Sequence, residues 1–445
     1  MHTVPARLVC RSVAQHEVRY RTVSATLPDE ETIESDARAA EAPSAFRRTL
    51  SALHYRDFRL LWFGAFTSTC GTFMQALAQG WLIYSMTKSA LLLGLDGFLA
   101  TGPMLIFSLF GGVIADRIDR KKVMMASQWA QMTFAFVLAI LIFTKSVQIW
   151  HILLLSFLTG SAQSFSGPAY ASLLPLLVKR EDVPNAVAMN SMQFNLARVI
   201  GPALGGVVYA LWGAAACFAV NGVSFIAVIF AMFIMKMPPV QRSAEKRGVF
   251  DEMREGFRFV KARPTLQLLT FLAFAGTFFG MPLFTMLPVV AGGFHLGARG
   301  LSILQAIYGI GSVVGALFIA ASGHAKRKGS IALLLQLVFA LLLITFGLSR
   351  NLILSATVGF FAGACVVGVV ALYSSLVQLA TSDAMRGRVM SIFMLAFRGG
   401  MPLGSLLAGT ITQRWSLGSA LTMNGLMLAF IATAFMMSGK NLDDV

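Results

Sequence analysis

The sequence predicts an all-α polytopic membrane protein, with twelve transmembrane helices arranged as two parallel six-helix repeats. Three observations carry this expectation. The 445 residues are 56% hydrophobic and only 13% charged, with a mean hydropathy of +0.72, whereas soluble globular chains carry about 25% charged residues. From Phe58 onward apolar runs follow one another, each near the roughly 20 residues that cross a bilayer as a helix. Short motifs of the first half also recur, in order, in the second. This composition argues against a soluble enzyme, a disordered protein and a nucleic-acid binder.

The spans read in order as 58–84, 90–115, 123–144, 148–176, 186–212, 214–236, 265–291, 300–322, 329–348, 352–380, 387–413 and 417–438. The breaks between them are short except for 237–264, which leaves six spans on each side. The expected organisation is a cytoplasmic tail at 1–45, a six-helix half at 46–236, a central loop at 237–264 and a second half at 265–445. The tail contains Pro28, a run of acids (Asp29, Glu30, Glu31, Glu34, Asp36, Glu41) and no sustained apolar period, the composition of a disordered segment. It lacks the apolar core of a secretory signal, and a translation start placed too early would read the same way. In the central loop Val249, Phe250, Met253, Phe257 and Val260 share one helical face. An amphipathic helix is expected there, at the membrane surface or against the bundle.

The net charge of +16 and the pI near 10.2 raise the question of a nucleic-acid partner, and the position of the charges answers it. With the N-terminus inside, the inward-facing breaks and ends carry 22 basic residues from Arg56 onward, against Lys88, Lys145, Arg299, Arg350 and Arg414 on the other side. The positive-inside rule then places both termini in the cytoplasm. The basic excess is a topology signal and calls for no nucleic acid.

The internal repeat supports the same topology. Leu60–Phe66 (LLWFGAF) matches Leu268–Phe274 (LLTFLAF), and Arg120-Lys121 matches Arg327-Lys328. Gly160, Tyr170 and Ser172 match Gly363, Tyr373 and Ser375; Arg198 and Pro202 match Arg398 and Pro402; Asn221-Gly222 matches Asn424-Gly425. Each half begins on the same side and crosses six times, so the repeat is parallel.

Polar residues inside spans are expensive and mark function or packing. Asp96 is the single carboxylate well inside a span; it is either a proton-coupling group or a structural partner near the outer interface. Arg198 and Arg398 lie deep in the fifth and eleventh spans, where they either line a polar cavity between the halves or tie down helix ends. Ser68, Thr72, Gln75 and Gln79 form a polar stripe on the first span, which makes Gln75 and Gln79 candidate substrate contacts. Tyr373, Ser374 and Gln378 on the tenth are similar candidates. Gly201, Pro202, Gly205 and Gly206 form a small-residue and proline cluster suited to close helix approach. The four cysteines fit no metal or redox spacing, and there is no Walker, HExxH or GxSxG motif. Neither a catalytic set nor a cofactor is expected, and transport energy would come from an ion or substrate gradient.

After the second span, Gly112, Asp116, Arg117, Arg120, Lys121 and Lys122 place one acid within a dense basic cluster at a tight turn. This resembles the signature loop of the major facilitator superfamily, although Asp119 stands where that family often has Gly and Gly323 replaces the acid in the second half. The resemblance implies that Gly112, Asp116, Arg117 and Arg120 gate the transporter without touching substrate. The Gly201-Pro202 cluster resembles a motif of family exporters. Further stretches are similar to the branch containing bacterial enterobactin exporters and macrolide efflux pumps: Phe58–Trp62, Gln75–Trp81, Pro168-Ala169, Pro184–Ala186 and Arg386–Ser391. The likeness covers about 55–438. It implies a monomeric, multi-pass transporter of the bacterial inner membrane that exports a siderophore- or drug-like molecule by alternating access, as a proton antiporter surrounded by lipid. An uncoupled facilitator or importer of the same fold, or a non-transporting sensor or assembly protein, are the alternatives.

Overall fold

A computed structural model describes residues 51–107, 119–235, 249–321, 327–437 and 442. The expected tail at 1–45 and the expected gating residues Gly112, Asp116 and Arg117 lie outside these. Among the described residues every regular element is helical.

Among the described residues nine stretches are long and apolar enough to cross a membrane. One of them contains a single helix, Val183–Ile234, that breaks at Gly213 into two spans. Gly213 has φ 80° and ψ −175°, a conformation open essentially to glycine alone, so one residue makes the whole turn. Two more polar helices of spanning length, Arg56–Thr87 and Ile149–Leu173, complete the set of twelve. The remaining spans are Ala90–Phe107, Arg120–Phe143, Pro264–Gly293, Gly297–Ala321, Lys328–Leu348, Leu352–Leu379, Asp383–Arg414 and Leu417–Met437.

Where they fall on described residues, the boundaries lie within a few residues of the sequence reading, with three physical differences; the expected end of the second span at 115 lies outside the described residues. The eleventh span begins at Asp383, because Asp383 and Arg386 pair at 2.6 Å one turn apart on its exposed first turn. The second span is regular only to Thr101, with a turn at Gly102 before it resumes. The seventh is broken into Pro264–Gly280, Pro282–Thr285 and Leu287–Gly293, because Pro282 and Pro288 each lack the N–H that would continue the ladder.

Repeat-related residues make repeat-related contacts. A methyl group at Gly160 would overlap the Ala100 carbonyl, and one at Gly363 the Tyr308 carbonyl, so the fourth span lies tight on the second and the tenth on the eighth. Gly222 sits on the Phe136 ring of the third span, and Gly425 on Ile344 and the Ala340 carbonyl of the ninth. Asn221 donates to Gln75 on the first span, and Asn424 to the Phe279 carbonyl on the seventh. The motif glycines act the same way. Gly201 approaches the Cys70 carbonyl and Phe73, each 2.6 Å from where a Cβ would stand, while Gly206 meets Ser302 on the eighth span.

The amphipathic helix forms at Val249–Lys261. It lies against the bundle: Gly256 packs on Arg388 and Ile392, Val260 is buried, and Arg388 pairs with Glu255 at 2.7 Å.

Candidate functional site

The two six-helix sets meet along two seams, the second span on the eleventh and the fifth on the eighth. At the end near Lys88 both seams are shut. The Ala90 N–H donates to Gln413 Oε1 at 2.9 Å, and a Cβ at Gly94 would lie 3.1 Å from the Gly409 Cα. Gly97 faces Ser405 and Thr285, whose hydroxyls are 3.1 Å apart. The turns at this end are tight, with left-handed backbone at Lys88, Lys145, Gly213, His295 and Gly297.

Asp96 lies one turn and a half into the second span, beside this shut end. Its carboxylate accepts from Gln79 Nε2 at 2.8 and 3.0 Å and from Ser156 Oγ at 2.5 Å. Gln79 also donates to Ser156 at 2.8 Å. The first, second and fourth spans are thus joined through one carboxylate. Amide and hydroxyl donors are what an ionised carboxylate needs away from water; protonation removes one acceptor and loosens the joint.

The other polar residues of the first span separate. Gln75 accepts from Asn221 at 2.6 Å, and Thr72 returns its hydroxyl to the Ser68 carbonyl. Tyr373 is fully buried and donates to Gln336 in an apolar cluster, whereas Gln378 is exposed and bonds only Ser374 among the described residues. Arg198 holds its guanidinium 5.3 Å from the Phe194 ring centre, and Gly309 of the eighth span approaches its carbonyl. Arg398 is exposed and donates to Met104 Sδ on the second span at 2.9 Å. Pro202 and Pro402, four residues on, leave the carbonyls of these two arginines without their helical donor.

Arg120 reaches the Ser172 carbonyl at 3.4 Å, and Lys121 caps the sixth span through the Met235 carbonyl at 3.0 Å. Nearby, a cavity of about 440 Å³ between the third and fourth spans is lined by Lys122, Ser127, Ala162, Phe165 and small apolar residues; none of the candidate residues lines it. At the same end Asp182 accepts from Ser51 and Tyr55, both at 2.6 Å, while Asn185 accepts from the Ala52 N–H. The hydroxyl bonds of Ser51 and Tyr55 hold the Asp182 carboxyl below its usual range, and the bond to Asp182 raises the Tyr55 phenol.

Sequence reasoning singled out Gln79 and Asp96 separately but missed Ser156, a lone serine in an apolar run with no patterned signal. Asn221 was visible as a repeat match and not as a partner of Gln75.

Residues 47–443 match the family described as transmembrane secretion effectors, of the major facilitator superfamily. The chain belongs to that family. This transporter, which is not an enzyme, is 22% identical to macrolide efflux protein A of Streptococcus pyogenes over 383 residues, covering 84% of this chain and 94% of the relative. It is 26% identical to the enterobactin exporter EntS of Shigella boydii serotype 4 over 384 residues, covering 85% and 91%. Among solved structures, a bacterial homologue of the lysosomal transporter Spinster, inward-facing and occupied, superposes with a TM-score of 0.70 at 14% identity, covering 87% of this chain and 97% of that one. The nucleoside transporter NupG gives 0.67 at 15%, covering 86% and 99%. These likenesses show the major facilitator fold of this multi-pass membrane transporter.

Proposed function

We propose that this transporter exports a small organic molecule across the bacterial inner membrane by alternating access, exchanging it for protons through Asp96. The observation that carries the reading is the Gln79–Asp96–Ser156 joint beside the shut Lys88 end. A proton arriving at Asp96 weakens the tie between the first, second and fourth spans next to the seam that must part for release. The 22-to-5 distribution of basic residues supports both termini, and the Arg180 end of the bundle, facing the cytoplasm. The relatives named for macrolide and enterobactin efflux support the outward direction and a siderophore- or drug-like cargo. Gln75, Arg198 and Arg398 are the proposed cavity residues; Gly112, Asp116, Arg117 and Arg120 are the proposed gate.

One observation favours an uncoupled facilitator instead: Gln79 and Ser156, which bond Asp96, are neutral donors that a purely structural carboxylate would also recruit. Flux into inverted vesicles separates the two. A siderophore, a macrolide and a cationic dye are offered with and without an imposed pH gradient, to wild type and Asp96→Asn. The proposal expects uptake of one of them that collapses with the gradient and loses its dependence on it in Asp96→Asn. Gradient-driven uptake unchanged in Asp96→Asn contradicts it.

A further inference from the structure

Arg198 lies 15 residues beyond Val183, and Arg398 lies 15 residues beyond Asp383. At 1.5 Å per residue each guanidinium-bearing backbone is about 22 Å from its helix start, at matching depth. Each sits at a seam between the two sets, Arg198 with its carbonyl against Gly309 on the eighth span and Arg398 against Met104 on the second. Neither forms an ion pair among the described residues; the Phe194 ring lies beside the Arg198 guanidinium and the Met104 thioether beside that of Arg398. Asp96, the one carboxylate well inside a span, is engaged by Gln79 and Ser156. Among the described residues, two permanently charged groups therefore stand at mid-depth without their natural counter-charge.

The approach to each arginine is also repeated. Val187, Ser191 and Phe194 precede Arg198 by eleven, seven and four residues, which is one helical face, and all three are exposed. Gly387, Ser391 and Met394 precede Arg398 at the same spacing and are likewise exposed. Beyond the arginines the faces close, through Gly205 on Met74 and through Ser405 and Gly409 on Gly94. Each helix offers an exposed, mostly apolar track with one serine, ending in a guanidinium that has no ion pair among the described residues.

We propose that Arg198 and Arg398 form the anion-binding site for the cargo, and that the cargo is an amphipathic organic anion. This rests on the transport reading and specifies its substrate class. Guanidinium groups pair with carboxylate, phenolate-type or phosphate oxygens through two parallel hydrogen bonds, and the tracks accept the apolar body. A cationic cargo would meet two like charges.

Carboxyfluorescein and rhodamine 6G share a xanthene ring system and carry opposite charge. Their anisotropy is titrated against the purified full chain at constant pH. The proposal expects saturable carboxyfluorescein binding, at least tenfold tighter than rhodamine 6G. Arg198→Gln and Arg398→Gln, each monodisperse on size exclusion, should weaken carboxyfluorescein at least tenfold and leave rhodamine 6G unchanged; Arg198→Lys and Arg398→Lys should retain part of the binding. Absent carboxyfluorescein binding, tighter rhodamine 6G binding, or indifference to both Arg→Gln changes overturns the anion site. Flux of the same dye in proteoliposomes is scored separately: binding without flux leaves the anion site standing and counts against export.

Discussion

Asp182 shows how one side chain fixes the start of the first span. Its two carboxylate oxygens take the Ser51 and Tyr55 hydroxyls, which clasp Ser51–His54 onto the turn before the fifth span. The Asp182 carboxyl is held below its ordinary value, so its part of the clasp is complete above about pH 4 and is lost as pH falls through the lower folded value. The Tyr55 phenol is raised, so its part is complete below about pH 10 and is lost as pH rises through the higher folded value. A spin label at His54, in His54→Cys, should therefore be least mobile between these limits, and Asp182→Asn should free it throughout that window. Equal mobility in both proteins would show that the clasp is not holding the segment. Pro184-Asn185-Ala186 was legible only as a familiar stretch. The structure supplies its physics: Pro184 opens the helix, Asn185 receives the Ala52 N–H, and Ala186 is fully buried. Pairings such as Gln79 with Ser156 were not legible, because periodicity assigns a residue to a face and not to a partner on another helix.

At the scale of the element, small residues decide how closely helices approach, and the repeat made them readable in advance. Gly160 with Gly363, and Gly222 with Gly425, are matching positions in the sequence; their carbonyl and ring neighbours are visible only in the structure. The surface helix was legible for the same reason, since its apolar face keeps a helical period; what it docks on was not. Two glycines make a matched test. Gly201→Ala brings a methyl to 2.6 Å from the Cys70 carbonyl and the Phe73 Cβ, whereas Gly276→Ala meets nothing within 4 Å. Overpacking of this kind costs about 1–3 kcal/mol, while alanine in open helical space gains up to about 1 kcal/mol over glycine. Thermal unfolding in detergent should show Gly201→Ala clearly less stable than wild type and Gly276→Ala equal or better. Equal midpoints would mean that the first and fifth spans are not in tight contact. The breaks at Pro282 and Pro288 illustrate the opposite limit: a hydropathy run reads as one span, although the proline chemistry that divides it was present in the sequence.

At the scale of the whole molecule, composition and repeat were sufficient for the class, the twelve crossings and the parallel halves, because lipid allows few solutions for an apolar chain of this length. They were insufficient for the seams, which depend on contacts between spans distant in sequence, such as Ala90 with Gln413. Alternating access requires the Lys88 end, shut in this state, to open in every transport cycle. Linking Ala90→Cys to Gln413→Cys with a reducible bifunctional reagent, in a background where Cys10 is replaced and the buried Cys70, Cys217 and Cys365 remain, addresses this directly. The account predicts that the cross-link stops flux of the transported molecule by at least tenfold and that reduction restores it. Undiminished flux through the cross-linked protein would contradict alternating access at this seam.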